Sequence, residues 1–98
     1  MHWREIIRRP VITEKSNFLA SEYNQYTFVV DARANKMQIR DAVELAWPDV
    51  AVEKVRVANM PAKRARRWRR ITVRKPRWKK AVVTLTPGDR IDLFEGVG

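Results

Sequence analysis

The sequence predicts an α+β fold of the split β-α-β kind, and three observations carry that prediction. Two strand-like segments flank one amphipathic helix. A third strand-like segment follows a long basic excursion. The 98 residues, 45% of them hydrophobic, suit one domain over residues 1–98 with a single thin core. Strands joined through a helix run parallel with a right-handed crossover. The third strand returns from the second by a hairpin-like route, so it pairs antiparallel and is simplest to place in the middle. The expected sheet is small, three- to four-stranded and mainly antiparallel, with helices packed on it and a long basic hairpin-like loop.

Each element has a local reason. Pro10 blocks a helix and Thr13 can cap the next one, predicted over 14–23 with Phe18, Leu19 and Tyr23 on one side. This helix can cover either an end or the second face of the sheet. Tyr26, Phe28 and Val30 alternate with Thr27 and Val29, a strand pattern over 25–31. Asn35 and Gln38 have the spacing of a capping box. Behind them Ile39, Ala42, Val43, Ala46 and Trp47 trace one helical face, which Pro48 ends. Over 50–59 the valines change phase: Val50 and Val52 share one side, Val55 and Val57 the other, which predicts a bulge near Glu53-Lys54. Ala81, Val83 and Leu85 define the last strand, over 79–86. Pro87-Gly88 suits the centre of a type II turn, and Ile91, Leu93 and Phe94 form a short apolar tail that can dock on the body.

Composition removes most enzyme classes. There are no cysteines and one histidine, His2, so neither a disulfide scaffold nor a zinc site is expected. Ser16 and Ser21 are the only serines, and neither has a base partner in view. Gly88, Gly96 and Gly98 are the only glycines, so there is no glycine-rich phosphate loop. No cofactor is expected. Apolar runs are too short for a membrane-spanning helix, and the N-terminus lacks the apolar stretch of a signal peptide, so the expectation is a cytoplasmic, or organellar-matrix, soluble protein without membrane insertion.

The charge is concentrated. Residues 63–80 hold 11 basic residues and no acidic one, out of 21 basic and 11 acidic in the whole chain. A nearly neutral body carrying so basic a segment implies a polyanionic partner. Residues 61–77 are too long for an ordinary hairpin connection and are read as an extended RNA-binding loop. Its candidate contacts are Lys63, Arg64, Arg66, Arg67, Arg69, Arg70, Arg74, Lys75 and Arg77, continuing into Lys79 and Lys80. Arginine pairs bidentately with phosphate, and the interleaved Trp68 and Trp78 suit unstacked bases. With few apolar residues to fold it, the loop is expected to order on its partner. Lys36, at a helix start, is a further phosphate candidate.

The residues also resemble a known family. Arg9-Pro10-Val11-Ile12-Thr13-Glu14-Lys15-Ser16 is similar to the opening motif of the universal large-subunit ribosomal protein L-twenty-three family, in its bacterial type. Tyr26-Thr27-Phe28 with Ala34-Asn35-Lys36, then Val52-Glu53-Lys54-Val55, then Trp78-Lys79-Lys80-Ala81-Val82-Val83-Thr84-Leu85 follow in family order. Ile91-Asp92-Leu93-Phe94-Glu95-Gly96-Val97 resembles the family's C-terminus. Two features depart from the pattern. The long loop has no glycine, and Trp47-Pro48-Asp49 lengthens the helix-to-strand turn by a residue.

The resemblance implies a structural constituent of the large ribosomal subunit. Such a protein binds large-subunit ribosomal RNA early in assembly, lies among neighbouring ribosomal proteins at the nascent-peptide tunnel exit, and helps dock trigger factor and the signal recognition particle. The motif implies RNA contact by Arg8, Arg9 and Lys15 and places the docking carboxylate at Glu14, which as a helix-start residue also has a purely structural reading. The implied localisation is the cytoplasmic ribosome, and no homo-oligomer is implied. The alternatives are a free-standing architectural nucleic-acid-binding protein, which leaves the motifs unexplained, and a small enzyme, for which the residues are missing.

Overall fold

The computed structural model describes the backbone of residues 2–67, 70–75 and 77–91, with side chains over 2–62 and 77–91. In chain order the elements are α1 (Trp3–Ile6), β1 (Ile7–Pro10), α2 (Glu14–Tyr23), β2 (Gln25–Val30), α3 (Lys36–Ala46), β3 (Val52–Met60), β4 (Lys63–Arg67), β5 (Arg70–Lys75) and β6 (Trp78–Leu85).

Side-chain caps set where the helices begin. Thr13 Oγ1 accepts from the Ser16 amide at 3.1 Å while Ser16 Oγ accepts from the Thr13 amide at 2.7 Å. The same reciprocal box joins Asn35 and Gln38, at 2.8 and 3.0 Å. The Thr13 and Asn35 caps are therefore as the spacing predicts, and the partner Ser16 is an addition. α2 ends where Asn24 adopts the left-handed conformation (φ 58°), a role asparagine tolerates better than most residues. Its Nδ2 donates to the Thr86 carbonyl at 3.1 Å, tying the helix end to the end of β6.

The main sheet has the order β1-β2-β6-β3, and every neighbouring pair is antiparallel. β2 and β3 thus run parallel on either side of β6, as expected for strands joined by a helix. β1 adds an outer strand that the sequence pattern does not predict, since four residues are too few to show a period. α1 was missed for the same reason; it starts at His2, whose Nδ1 accepts the Arg4 amide at 3.2 Å. The phase change in β3 is resolved by a bulge between Val52 and Lys54, which returns Val55 to the buried side that Val52 occupies. At the far end of β6 the Asp89 amide donates to the Thr86 carbonyl at 3.0 Å and Gly88 takes φ +95°, the turn that Pro87-Gly88 predicts.

The core lies on one face of this sheet. Phe28, Ile39, Val43, Val83 and Leu85 are fully buried there, and Trp47 stacks obliquely on Phe28 with ring centroids 5.6 Å apart. Ile6 of α1 and Ile39, Ala42 and Val43 of α3 belong to this cluster, and Ala20 of α2 packs against it. α2 packs on β2, whose residues Tyr26 to Val30 are all buried. α2 differs from expectation in its rotation. Ser16 is its buried residue and Ala20 its core contact, whereas Phe18 and Tyr23 are 55% and 59% exposed. Ser16 turns inward to close the capping box, and with Ala20 four residues on it sets the inner side. Phe18 then stands half a turn away. Ile91 docks on the body as expected, its amide donating to the Tyr26 hydroxyl at 3.2 Å. Leu93 and Phe94 lie outside the described residues.

Candidate nucleic-acid interface

The basic segment forms a two-stranded ribbon of its own beyond the main sheet. β3 and β6 pair as far as Met60 opposite Trp78, and β4 and β5 resume at Lys63 opposite Lys75 in the same register. After one register shift at Lys63/Arg64 the pairing runs on to Arg67 opposite Arg70. The β-branched run Ile71-Thr72-Val73 suits an extended strand, and the hairpin-like loop expected over 61–77 contains these two paired strands. At about 3.4 Å per residue the seven steps from Met60 to Arg67 reach roughly 24 Å beyond the sheet. The molecule measures 52 × 30 × 26 Å. Lys63, Arg64, Arg66 and Arg67 lie on β4, and Arg70, Arg74 and Lys75 on β5. Trp68 and Arg69 lie outside the described residues.

The sheet face opposite Phe28 and Val83 is the second basic element, with Thr27 and Val29 of β2 buried on it. Paired residues share a face in an antiparallel ladder, so the register assigns the side chains. One row runs Arg9, Val29, Lys80, Ala58, the next Thr27, Val82, Arg56, and a third Gln25, Thr84, Lys54. Trp78, half-buried, and Met60 close the end from which the ribbon leaves. Arg9, Lys54 and Arg56 are exposed and Lys80 is half-buried. Two carboxylates lie at the margins. Glu53 sits in the β3 bulge, and Asp31 follows β2.

Asp31 is already satisfied. It is 4% exposed and accepts from the Arg33 amide at 2.8 Å, Arg33 Nε at 3.1 Å and Arg8 Nη2 at 3.0 Å. The Arg33 side chain, then its amide, then Arg8 hold the Asp31 carboxyl well below the usual carboxylate range. The same pairing raises the Arg33 guanidinium.

The predicted contacts divide accordingly. Arg9, Trp78 and Lys80 share the sheet face opposite Phe28 with the root of the ribbon, and Arg77 is exposed beside it. Arg8 is committed in part to Asp31. Lys15 and Lys36 are exposed in the first turns of α2 and α3. Lys79 is not brought together with the others. Strand alternation places it on the core side with Ala81 and Val83, where its ammonium donates to the Ala34 carbonyl. Glu14 is exposed at the first position of α2, remote in sequence from the ribbon. Sequence reasoning missed Lys54 and Arg56. Their signal was alternation in phase with Lys80 across β6, and it becomes readable only once the register is known.

Comparison with known proteins places the sequence among relatives. The profile of the family described as Ribosomal protein L23 matches residues 5–93. A large ribosomal subunit protein uL23 from Desulforudis audaxviator is 54% identical over 93 residues, 95% of each chain. Its counterpart from Pelotomaculum thermopropionicum is 49% identical over 94 residues, 96% of each chain. That of Desulfatibacillum aliphaticivorans is 50% identical over 97 residues, covering 99% of this chain and 100% of the relative.

Proposed function

The chain belongs to the ribosomal protein L23 family, and from that premise we propose that it binds large-subunit ribosomal RNA as a structural constituent of the large ribosomal subunit. The family is structural and not enzymatic. The observation that carries the RNA-binding reading is the basic ribbon β4–β5, which prolongs the β3–β6 ladder in register. A paired ribbon presents its cations on a directed arm, and arginine suits the phosphate oxygens of a folded RNA.

In this reading the RNA is bound early in assembly. The body sits at the nascent-peptide tunnel exit of the cytoplasmic ribosome beside other ribosomal proteins, as one copy. Glu14 belongs to the surface that docks trigger factor and the signal recognition particle. Its support is the exposed position at the start of α2, within the Thr-Glu-Lys motif and beside the exposed Ile12.

Co-sedimentation with purified large subunits after a moderate salt wash tests the assignment. Retention supports it. Loss from the subunits together with binding to duplex DNA of arbitrary sequence would favour the free-standing architectural reading instead.

A further inference from the structure

We propose that the outer edge of β3 is a docking site for one added strand, an extended segment of a partner protein in which carboxylate side chains alternate with apolar ones. The site is separate from the basic ribbon, and RNA has no part in it.

Backbone direction fixes which groups are open. On β6 the Leu85 amide donates to the Asn24 carbonyl at 3.1 Å, toward β2. The next amide, that of Thr86, donates to the Ala51 carbonyl at 2.9 Å, toward β3. Backbone groups alternate sides along a strand. Thr84, Val82 and Lys80 therefore bond toward β3, and their partners Lys54, Arg56 and Ala58 bond back. Val55, Val57 and Asn59 turn their N–H and C=O groups the other way, and these have no partner among the described residues. A row of unpaired backbone groups is a template for another strand.

The rest of the sheet edge is closed. β1 has four residues, is irregular between Ile7 and Arg9, and ends in Pro10, which has no N–H to offer. At the start of β3 the Val52 amide is taken by Glu44 Oε2 at 3.2 Å, and the Ala51 amide before it by Asp89 Oδ2 at 2.9 Å. The bulge between Val52 and Lys54 follows, with Glu53 in it. The open stretch thus runs from Val55 to Asn59.

The flanking side chains define the occupant. Val57 is half-buried and packs at the margin of the core, so residues added beside it are stabilised by being apolar. Lys54 and Arg56 stand exposed on the other face, and neither pairs with a carboxylate among the described residues. Residues added beside them are stabilised by being acidic. A second copy of this chain fits poorly, because two β3 edges would gather Lys54 and Arg56 of both copies on one face, where like charges repel.

The test follows amide exchange residue by residue in the full chain, with a peptide of about ten residues alternating glutamate and valine as the probe. In the free chain the amides of Val55, Val57 and Asn59 are expected to exchange faster than those of Lys54, Arg56 and Ala58. The peptide is expected to slow the first set by about tenfold or more. A lysine-valine peptide is expected to leave them unchanged, and K54E/R56E to reverse the preference between the two peptides. A glutamate-proline peptide of the same charge offers no N–H and is expected to slow none of them. Equal exchange of the two sets in the free chain would mean that the edge is already covered. Unslowed amides with the glutamate-valine peptide would mean that it binds other cations or nothing. Equal slowing by the glutamate-proline peptide would mean that charge acts without pairing, and an unchanged preference in folded K54E/R56E would mean that the two cations select nothing. Each of these results overturns the proposal. The peptide comparisons use the parent chain, so they decide the matter even where K54E/R56E does not fold.

Discussion

Met60 and Trp78 face each other on the last rung of the sheet, and Lys63 opposite Lys75, three residues further out, keeps their register. The arm is therefore aimed by the body. Its root is held by β6, which is hydrogen-bonded on both sides in the sheet, whereas β4 and β5 have only one another. Affinity and order should consequently be distributed unevenly along the chain.

Replacing residues 61–77 by a short turn should remove most of the RNA affinity. If about 6–10 cations of the basic segment meet phosphates, the intact chain loses roughly 10³–10⁵ in affinity between 50 and 200 mM salt. The shortened chain should show a much shallower slope. Equal slopes in the two titrations would assign the binding to the body alone.

Amide exchange in the free protein should follow the same gradient. A two-stranded ribbon is marginal by itself, whereas β6 lies between two partners. Amides of Val82 and Val83 should be strongly protected, and those of Arg66 and Val73 weakly, with protection rising when RNA is added. Uniformly strong protection of 63–67 and 70–75 without RNA would contradict this.

Much of this fold was legible because its signals are local. Asn35 and Gln38 show a capping box at fixed spacing, the valines of β3 show their bulge as a phase change, and Pro87-Gly88 names its own turn. α1 and β1 were not legible, because four residues give no period. The rotation of α2 was misread because Ser16 is small and polar, yet its hydrogen bonds with Thr13 decide which side faces inward. The interface followed the same rule. A dense basic run is visible in any reading, but Lys54 and Arg56 join Lys80 only through strand register, and Lys79 leaves the group through that same register.

Phe28→Ala and Phe18→Ala should separate core from surface on one measurement. Phe28 is fully buried against Trp47, so its truncation should cost about 3–5 kcal/mol in denaturant unfolding. Phe18 is 55% exposed and meets Tyr23 edge-on at 5.9 Å, so its loss should cost about 0.5–1.5 kcal/mol. A larger penalty at Phe18 than at Phe28 would place α2 differently on the sheet.

Asp31 should make stability depend on acid. Its carboxyl is depressed in the folded chain by Arg33 and Arg8, so the ionised form favours folding. That contribution is complete above the unfolded carboxyl value of about 3.9 and is lost as pH falls below it toward the folded value. Asp31→Asn should therefore melt at a lower temperature than the parent at pH 7 and at pH 5. The gap should narrow progressively below about pH 4. A gap that widened on acidification would mean that the carboxylate opposes folding.

Glu14 should separate docking from assembly. It is exposed at the first position of α2, where a carboxylate meets the positive end of the helix dipole, so its removal should cost only about 0.3–1 kcal/mol. Phe18 lies one turn on along the same side, and Ile12 just before the cap is 41% exposed, so the carboxylate stands at the edge of a small apolar surface. Such a group pairs with a basic patch on a partner and can be truncated without disturbing the core. It is also far along the chain from the ribbon and carries the wrong sign for phosphate. Glu14→Ala should therefore incorporate into large subunits and bind RNA with an unchanged salt slope, while ribosomes carrying it bind trigger factor more weakly. Unchanged trigger factor affinity would move the docking site to another part of the surface. Failure to incorporate would show instead that Glu14 supports the fold or the RNA contact, because a docking residue at a helix start has no other route to assembly.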